Sequence, residues 1–251
     1  MPATPAWPPS SLPRLYVGES LMLGQRIALD AAQANYLGTV LRLREGAKLK
    51  LFDDASGEWL AAIVEAQRRK VTVEVLGHLR DRETVPDLWL LFAPIKRGRI
   101  DWLVEKATEL GVARMVPVRT QRTIIDRLNL DRLRAHVIEA AEQCERTALP
   151  ALSPIEELGS ILLHWPAGRP LLFADETGGV PIAEACTGGP AAIMIGPEGG
   201  FTEEERTAVH RLPDARSVSL GPRILRAETA AISAVSIWMA GCGDWSRHAS
   251  R

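Results

Sequence analysis

Val71, Val73 and Val75 alternate with polar neighbours, and this period of two predicts a strand with one buried face over 70–79. Shorter runs of the same kind precede it: LYV at 15–17, KLKLFD at 48–53 and EWLAAIVEA at 58–66, with the DDASG stretch at 53–57 as the turn between the last two. One segment, DAAQANYLGTVLR at 30–42, has helical character instead, with Asp30 placed to cap it. Residues 14–80 therefore read as a small β domain, most simply a barrel.

After DRETVPD at 81–87, a charged connector bearing a proline, the pattern changes. LWLLFA at 88–93 is a continuous apolar run of strand length, predicting a strand covered on both faces. Ile100, Leu103, Ala107 and Leu110 repeat at helical spacing, with Gly111 as the stop. A strand at 114–118 follows, and then a helix whose apolar stripe runs through Leu133, Val137, Ala140 or Ala141, and Cys144. Strands at 170–175, 191–195 and 216–220 come next, with a helix opened by a Thr202/Glu205 capping box and a last helix at 227–240. Strands alternating with helices predict a mostly parallel α/β sheet over 81–245.

Composition narrows the function classes. The chain has 251 residues, 46% of them hydrophobic, and a formal net charge of −1, which fits a soluble globular protein and excludes one that coats nucleic acid by bulk charge. Residues 1–80 hold 10 Lys plus Arg against 8 Asp plus Glu, residues 81–150 hold 12 against 11, and residues 151–251 hold 8 against 12. Any nucleic-acid contact must accordingly be local, and Arg14, Arg42, Arg44, Lys96, Arg97 and Arg99 are the candidates for it. Cys144, Cys186 and Cys242 form no C-x-x-C pair, and the five histidines lack metal-ligand spacing, so no disulfide framework or metal site is signalled and a cytoplasmic setting is expected. The start is proline-rich, with no apolar signal stretch, and residues 1–13 are expected to be a disordered lead-in.

In a parallel sheet, ligands gather beyond the carboxyl ends of the strands. Two loops there carry unusual residues. IGPEGGF at 195–201 packs glycines around a proline, allowing backbone to approach a flat ligand, though the same residues would serve as a tight turn before a capped helix. Glu203, Glu204 and Glu205 follow at a helix start and would repel phosphate, and neither a G-x-G-x-x-G nor a Walker pattern occurs, so a cofactor without phosphate is favoured. LGPRILRAETA at 220–230 brings Arg223, Arg226, Glu228 and Thr229 to the mouth of the last helix; Arg226 and Glu228 could engage a ligand or merely pair with each other.

Four stretches, KRGRIDWLVEKATELGVARMVPV from Lys96, EAAEQCERTALP from Glu139, IGPEGGFTEEE from Ile195 and LGPRILRAETAAISAVS from Leu220, resemble the SPOUT superfamily of RNA methyltransferases and, within it, the 16S rRNA (uracil-N3)-methyltransferase family, RsmE. The N-terminal part is similar more loosely, through RLYV at 14–17 and TVLRLREG at 39–46; Asn35-Tyr36 stands where many members have a histidine. The resemblance implies a PUA-like barrel, a SPOUT-type α/β domain with a C-terminal trefoil knot, and a homodimer. It also implies S-adenosyl-L-methionine in loops that fall here on Ile195, Gly196, Gly199 and Gly200 and on Leu220, Gly221, Ile224 and Leu225, with a third wall around Phe173 to Glu176. The implied reaction is methylation at N3 of a uridine in 16S rRNA of the small subunit, with Arg226, then Arg223, stabilising the developing imide anion and Glu228 accepting the proton or orienting Arg226. Transfer to a ribose 2′-hydroxyl or another base, and a non-catalytic RNA-binding dimer, are the competing readings.

Overall fold

The computed structural model describes residues 12–67 and 70–245, so most of the expected lead-in at 1–13 lies outside the described residues. The chain forms two compact units. The first comprises the described residues up to Thr84 together with Ala141–Ala148, and the second comprises Val85–Ala140 with the described residues from Leu149 onward.

The first unit contains β1 (Arg14–Tyr16), β2 (Arg26–Ala28), α1 (Ala31–Asn35), β3 (Lys48–Asp53), β4 (Gly57–Gln67) and β5 (Lys70–Arg80). Its strands form one sheet in the order β1-β3-β4-β5-β2, antiparallel except for the β1–β3 pair. The alternation read from the sequence is realised: Val71, Val73 and Val75 are buried with Leu15, Leu49, Leu51 and Ile63. At the β3–β4 turn, Asp53 accepts hydrogen bonds from the Ala55 and Leu21 amides and the Ser56 hydroxyl. Gly57 follows at φ +94°, where a Cβ would lie 2.2 Å from the Arg80 carbonyl oxygen.

The helix expected over 30–42 is shorter. Asp30 caps α1 through the Gln33 amide, but Tyr36–Val40 widens into a π-turn, closed by the Leu41 amide on the Tyr36 carbonyl. Gly38, Thr39 and Val40 are poor helix formers, and Arg42 then takes φ +55°, which ends helical winding. Strand β2 escaped the sequence reading because three residues with one buried side chain carry no measurable period.

The second unit contains β6 (Leu88–Phe92), α2 (Arg99–Glu109), β7 (Arg114–Arg119), most of α3 (Leu130–Gln143), β8 (Ala151–Leu152), β9 (Glu156–Glu157) and α4 (Leu158–Leu163). It continues with β10 (Leu171–Ala174), β11 (Val180–Pro181), α5 (Ile182–Ala185), β12 (Ala191–Ile195), α6 (Glu203–His210), β13 (Ala215–Ser219) and α7 (Ala227–Gly241). The sheet order is β11-β13-β10-β12-β6-β7-β8, with β9 also on β7, and every pairing is parallel.

Leu88, Leu90 and Phe92 face one core and Leu91 the other, which is why the run at 88–92 shows no alternation. The last helix buries Ala231, Ala234, Val235, Trp238 and Met239 and packs on α2, β6 and β12. The α3 stripe holds through Leu133, Val137, Ala140 and Ala141, but Cys144 lies beyond the helix end and is exposed, correcting its placement on that stripe. Among the described residues no helix is long and apolar enough to cross a membrane.

Candidate active site

Parallel registration brings four strand ends together. Ala174 of β10 pairs with Ile195 of β12 on one side and Val218 of β13 on the other, while Ile195 also pairs with Phe92 of β6. The loops leaving β10, β12 and β13 enclose a cavity of about 490 Å³, within the usual range for small-ligand sites. Ile195, Gly196, Gly199, Gly200, Leu220, Gly221, Ile224 and Leu225 all line it, as do Ala174, Asp175 and Glu176; Phe173 is buried behind them.

The glycines have separate reasons to be there. A Cβ on Gly196 would lie 2.5 Å from the ring of Phe201, which packs at a tilt against Phe173 beneath the loop. Gly200 has φ +69°, and its Cβ would fall 2.1 Å from Glu176 Oε1. Gly199 faces the aliphatic part of Arg122 at 3.4 Å, an ordinary contact, and its carbonyl accepts a hydrogen bond of 2.5 Å from the Arg122 guanidinium.

A second bolt holds the same loop. Glu205 receives the Thr202 amide at 2.9 Å on one oxygen, completing the capping box of α6, and the Gln121 amide at 2.7 Å on the other. The β7 loop thus braces the β12 loop. Sequence reading missed Arg122 and Gln121, because no spacing relates residues 77 apart that meet only across parallel strands.

Three carboxylates, Asp175, Glu176 and Glu198, line the cavity against one guanidinium, Arg223. Burial alone would raise the Asp175 pKa, but hydrogen bonds from Thr177 and Arg206 outweigh it and hold this carboxyl below its ordinary value of 3.8. Arg206 also pairs with Glu176, fixing the wall opposite Gly200. A cavity built largely from backbone and small apolar side chains, beside a helix that begins with three glutamates, suits a ligand without phosphate.

The cations read from the sequence separate into three kinds. Arg223 and Arg226 are exposed and have no side-chain partner among the described residues; Arg223 lines the cavity, whereas Arg226 is the N-cap of α7 and stands outside it. Arg42 and Arg44 in the first unit, and Lys96 and Arg97 in the second, are likewise exposed and without side-chain partners among the described residues.

Arg14 does not belong with them. It is 8% exposed, donates to Glu58, Ala141 O and Arg146 O at 2.5–2.7 Å, and lies 3.7 Å above the Phe52 ring. With its donors committed inside the first unit, it is a structural residue and not an RNA contact. Glu228 pairs with Arg99 at 3.5 Å, so of the two readings left open in the sequence the mutual Arg226–Glu228 pair is not the one formed, and Glu228 Oε2 is buried without a hydrogen-bond partner.

Known RNA methyltransferases match this chain over most of its length. Residues 82–239 match the RNA methyltransferase domain and residues 29–76 the RNA methyltransferase PUA domain. A ribosomal RNA small subunit methyltransferase E from Rickettsia conorii is 32% identical over 89% of this chain and 93% of its own. The crystal structure of ribosomal RNA small subunit methyltransferase E from Neisseria gonorrhoeae bound to S-adenosyl methionine has a TM-score of 0.85 at 29% identity, covering 93% of this chain and 99% of that one. A Legionella pneumophila methyltransferase in complex with the bound cofactor SAM has a TM-score of 0.83 at 29% identity, with the same coverage. Similarity at this level and over this span places the chain in the RNA methyltransferase family, with a PUA-like domain preceding a SPOUT-like α/β domain.

Proposed function

We propose that the chain is an S-adenosylmethionine-dependent methyltransferase that modifies N3 of a uridine in 16S rRNA of the small subunit. The observation that carries this reading is the convergence of three strand-end loops on one glycine-lined cavity in a chain whose relatives include small-subunit rRNA methyltransferases, one of them with a structure named with that cofactor. The residues fit the cofactor: the cavity is walled by the backbone of Gly196, Gly199, Gly200 and Gly221 and by the apolar side chains of Ile195, Leu220 and Leu225, with no cluster of free cations among the described residues to repel a sulfonium.

When bound, the sulfonium supplies an electrophilic methyl group. The chain has to position the base, since an aligned nucleophile near contact distance accounts for much of such a rate. It also has to stabilise the anion left when N3 loses its proton, because a neutral imide nitrogen is a poor nucleophile. Arg226, at the α7 N-terminus and free of partners among the described residues, is assigned to the uracil oxygens, with Arg223 second. Glu228, with one unpartnered oxygen, is assigned as proton acceptor.

The wider organisation follows from the same reading. Residues 14–80 are a PUA-like RNA-binding barrel and 81–245 the methyltransferase domain. Arg42 and Arg44 on the barrel, and Lys96 and Arg97 on the methyltransferase domain, contact RNA phosphates. The segment from β13 into α7 is a trefoil knot, a reading supported by β13 lying beyond β10 while α7 packs back on β6 and β12. A homodimer completes the site, supported by the exposure of Ile224 at 98% on the cavity loop and of Trp102 and Ile237 on α2 and α7. A cytoplasmic location fits the RNA substrate and the three free thiols among the described residues.

Arg226→Ala tests the assignment. Methyl transfer to 16S rRNA should be lost while S-adenosylhomocysteine binding stays within a few-fold, and near-normal turnover would remove Arg226 from the reaction.

A further inference from the structure

Arg99 stands where three parts of the second unit meet. It is the first residue of α2, on the loop that leaves β6; its Nη1 lies 3.5 Å from Glu198 on the β12 loop and its Nε 3.5 Å from Glu228 in the first turn of α7. The neighbouring cations Lys96 and Arg97 are exposed and have no side-chain partner among the described residues. The charge of Arg99 is shared between two carboxylates, one on the cavity wall and one 12% exposed with its second oxygen unpartnered.

We propose that Arg99 is a positioning residue for methyl transfer, tying the cofactor loop through Glu198 to the start of α7 through Glu228, and not an anchor for RNA phosphate. The inference deepens the reading given above and rests on it. A guanidinium fits this task because its planar fork addresses two carboxylates from different N–H groups at once, whereas an ammonium is a single point charge. Glu228 and Arg226 are two residues apart across the start of α7, so a shift of Glu228 displaces the group assigned to the uracil oxygens.

The test compares Arg99→Gln, Arg99→Lys, Glu228→Gln and the Arg99→Gln/Glu228→Gln double variant, using 16S rRNA with labelled S-adenosylmethionine and RNA binding across a salt series. Arg99→Gln should lower kcat by about ten- to a hundredfold, as expected for misplacement at a reacting centre. The KM for RNA should change less than about threefold, the salt slope should be unchanged, and Arg99→Lys should recover part of kcat. In the Glu228→Gln background, Arg99→Gln should cost less than it does in the wild type, because one of its two partners is already gone and only the Glu198 contact is left to lose.

A raised KM, with the salt slope reduced by about 0.7 and kcat intact, would make Arg99 a phosphate contact and overturn the proposal. Unchanged kinetics in Arg99→Gln, or losses that multiply in the double variant, would also overturn it. If the Gln variant fails to fold by circular dichroism, wild-type kcat in a folded Arg99→Lys would refute the two-carboxylate geometry. Absence of transfer by the wild-type chain would count against the proposed function instead.

Discussion

Replacing Gly200 with alanine should weaken cofactor binding by an amount that the geometry bounds. The residue sits at φ +69°, a left-handed conformation that costs a residue with a Cβ about 1–2 kcal/mol. The new methyl would lie 2.1 Å from Glu176 Oε1, so that side chain must rotate and release Arg206, an ion pair at the cavity wall worth at most about 1 kcal/mol. The total, about 1–3 kcal/mol, is confined to the loop. Cofactor binding must restore the loop against that cost, which corresponds to about a 5- to 150-fold loss of affinity. Gly199→Ala is the internal control: no left-handed backbone, and a Cβ in ordinary contact with Arg122 at 3.4 Å, predicting a change within about twofold. Calorimetric titration with S-adenosylhomocysteine reads both, with thermal melting as a check that the fold persists. Wild-type affinity in Gly200→Ala, or a larger loss in Gly199→Ala, would refute this account of the cavity.

Three further outcomes are expected. Arg14→Met leaves Glu58 buried beside Lys50 and Arg80 without its closest partner, and should destabilise the chain by about 3–5 kcal/mol in denaturant titration; a loss below about 1 kcal/mol would return Arg14 to the exposed cations. Hydrogen bonds and cationic partners outweigh burial at Glu58 and Asp175, so their folded pKa values lie below the ordinary 4.5 and 3.8. Their stabilisation is therefore complete above those ordinary values and lost as pH falls through the lower folded ones, giving a melting temperature that drops in acid and drops less steeply in Glu58→Gln; equal acid slopes would contradict it. RNA binding should show a modest salt slope, since of the six cations read for RNA from the sequence Arg42, Arg44, Lys96 and Arg97 are exposed and without side-chain partners among the described residues, and a slope equivalent to ten or more phosphates per subunit would show this set to be incomplete.

What could be read from the sequence follows the range of the interactions. The strands at 48–53, 88–93 and 191–195 and the Thr202/Glu205 box are written in contiguous residues, by alternation, unbroken apolarity or a three-residue spacing, and the structure has them there, the second strand ending one residue earlier at Phe92. The glycine loops were legible for the same reason, since a strand followed by glycines announces a strand-end turn.

The partners of the charged residues were not legible. Arg14 and Arg99 look alike in sequence as arginines at element starts, yet one is sealed against Glu58 and the other bridges Glu198 and Glu228. Those contacts depend on which strands are neighbours and in what register, and nothing local encodes it. The same holds for Arg122 on Gly199. The π-turn at 36–40 shows a different limit, because Asp30 capping and an apolar stripe are common to both windings and only the hydrogen-bond closure distinguishes them.

The central claim is that this chain methylates N3 of uridine in small-subunit rRNA, and one measurement addresses it directly. Purified chain, S-adenosylmethionine carrying a heavy methyl group and 16S rRNA, free or in the small subunit, are incubated, and the RNA is digested to nucleosides and resolved by mass and retention. The account predicts a single labelled product, 3-methyluridine, formed by the wild-type chain and absent with Arg226→Ala. Label on a ribose hydroxyl or on another base, or no label with RNA bound, would contradict it.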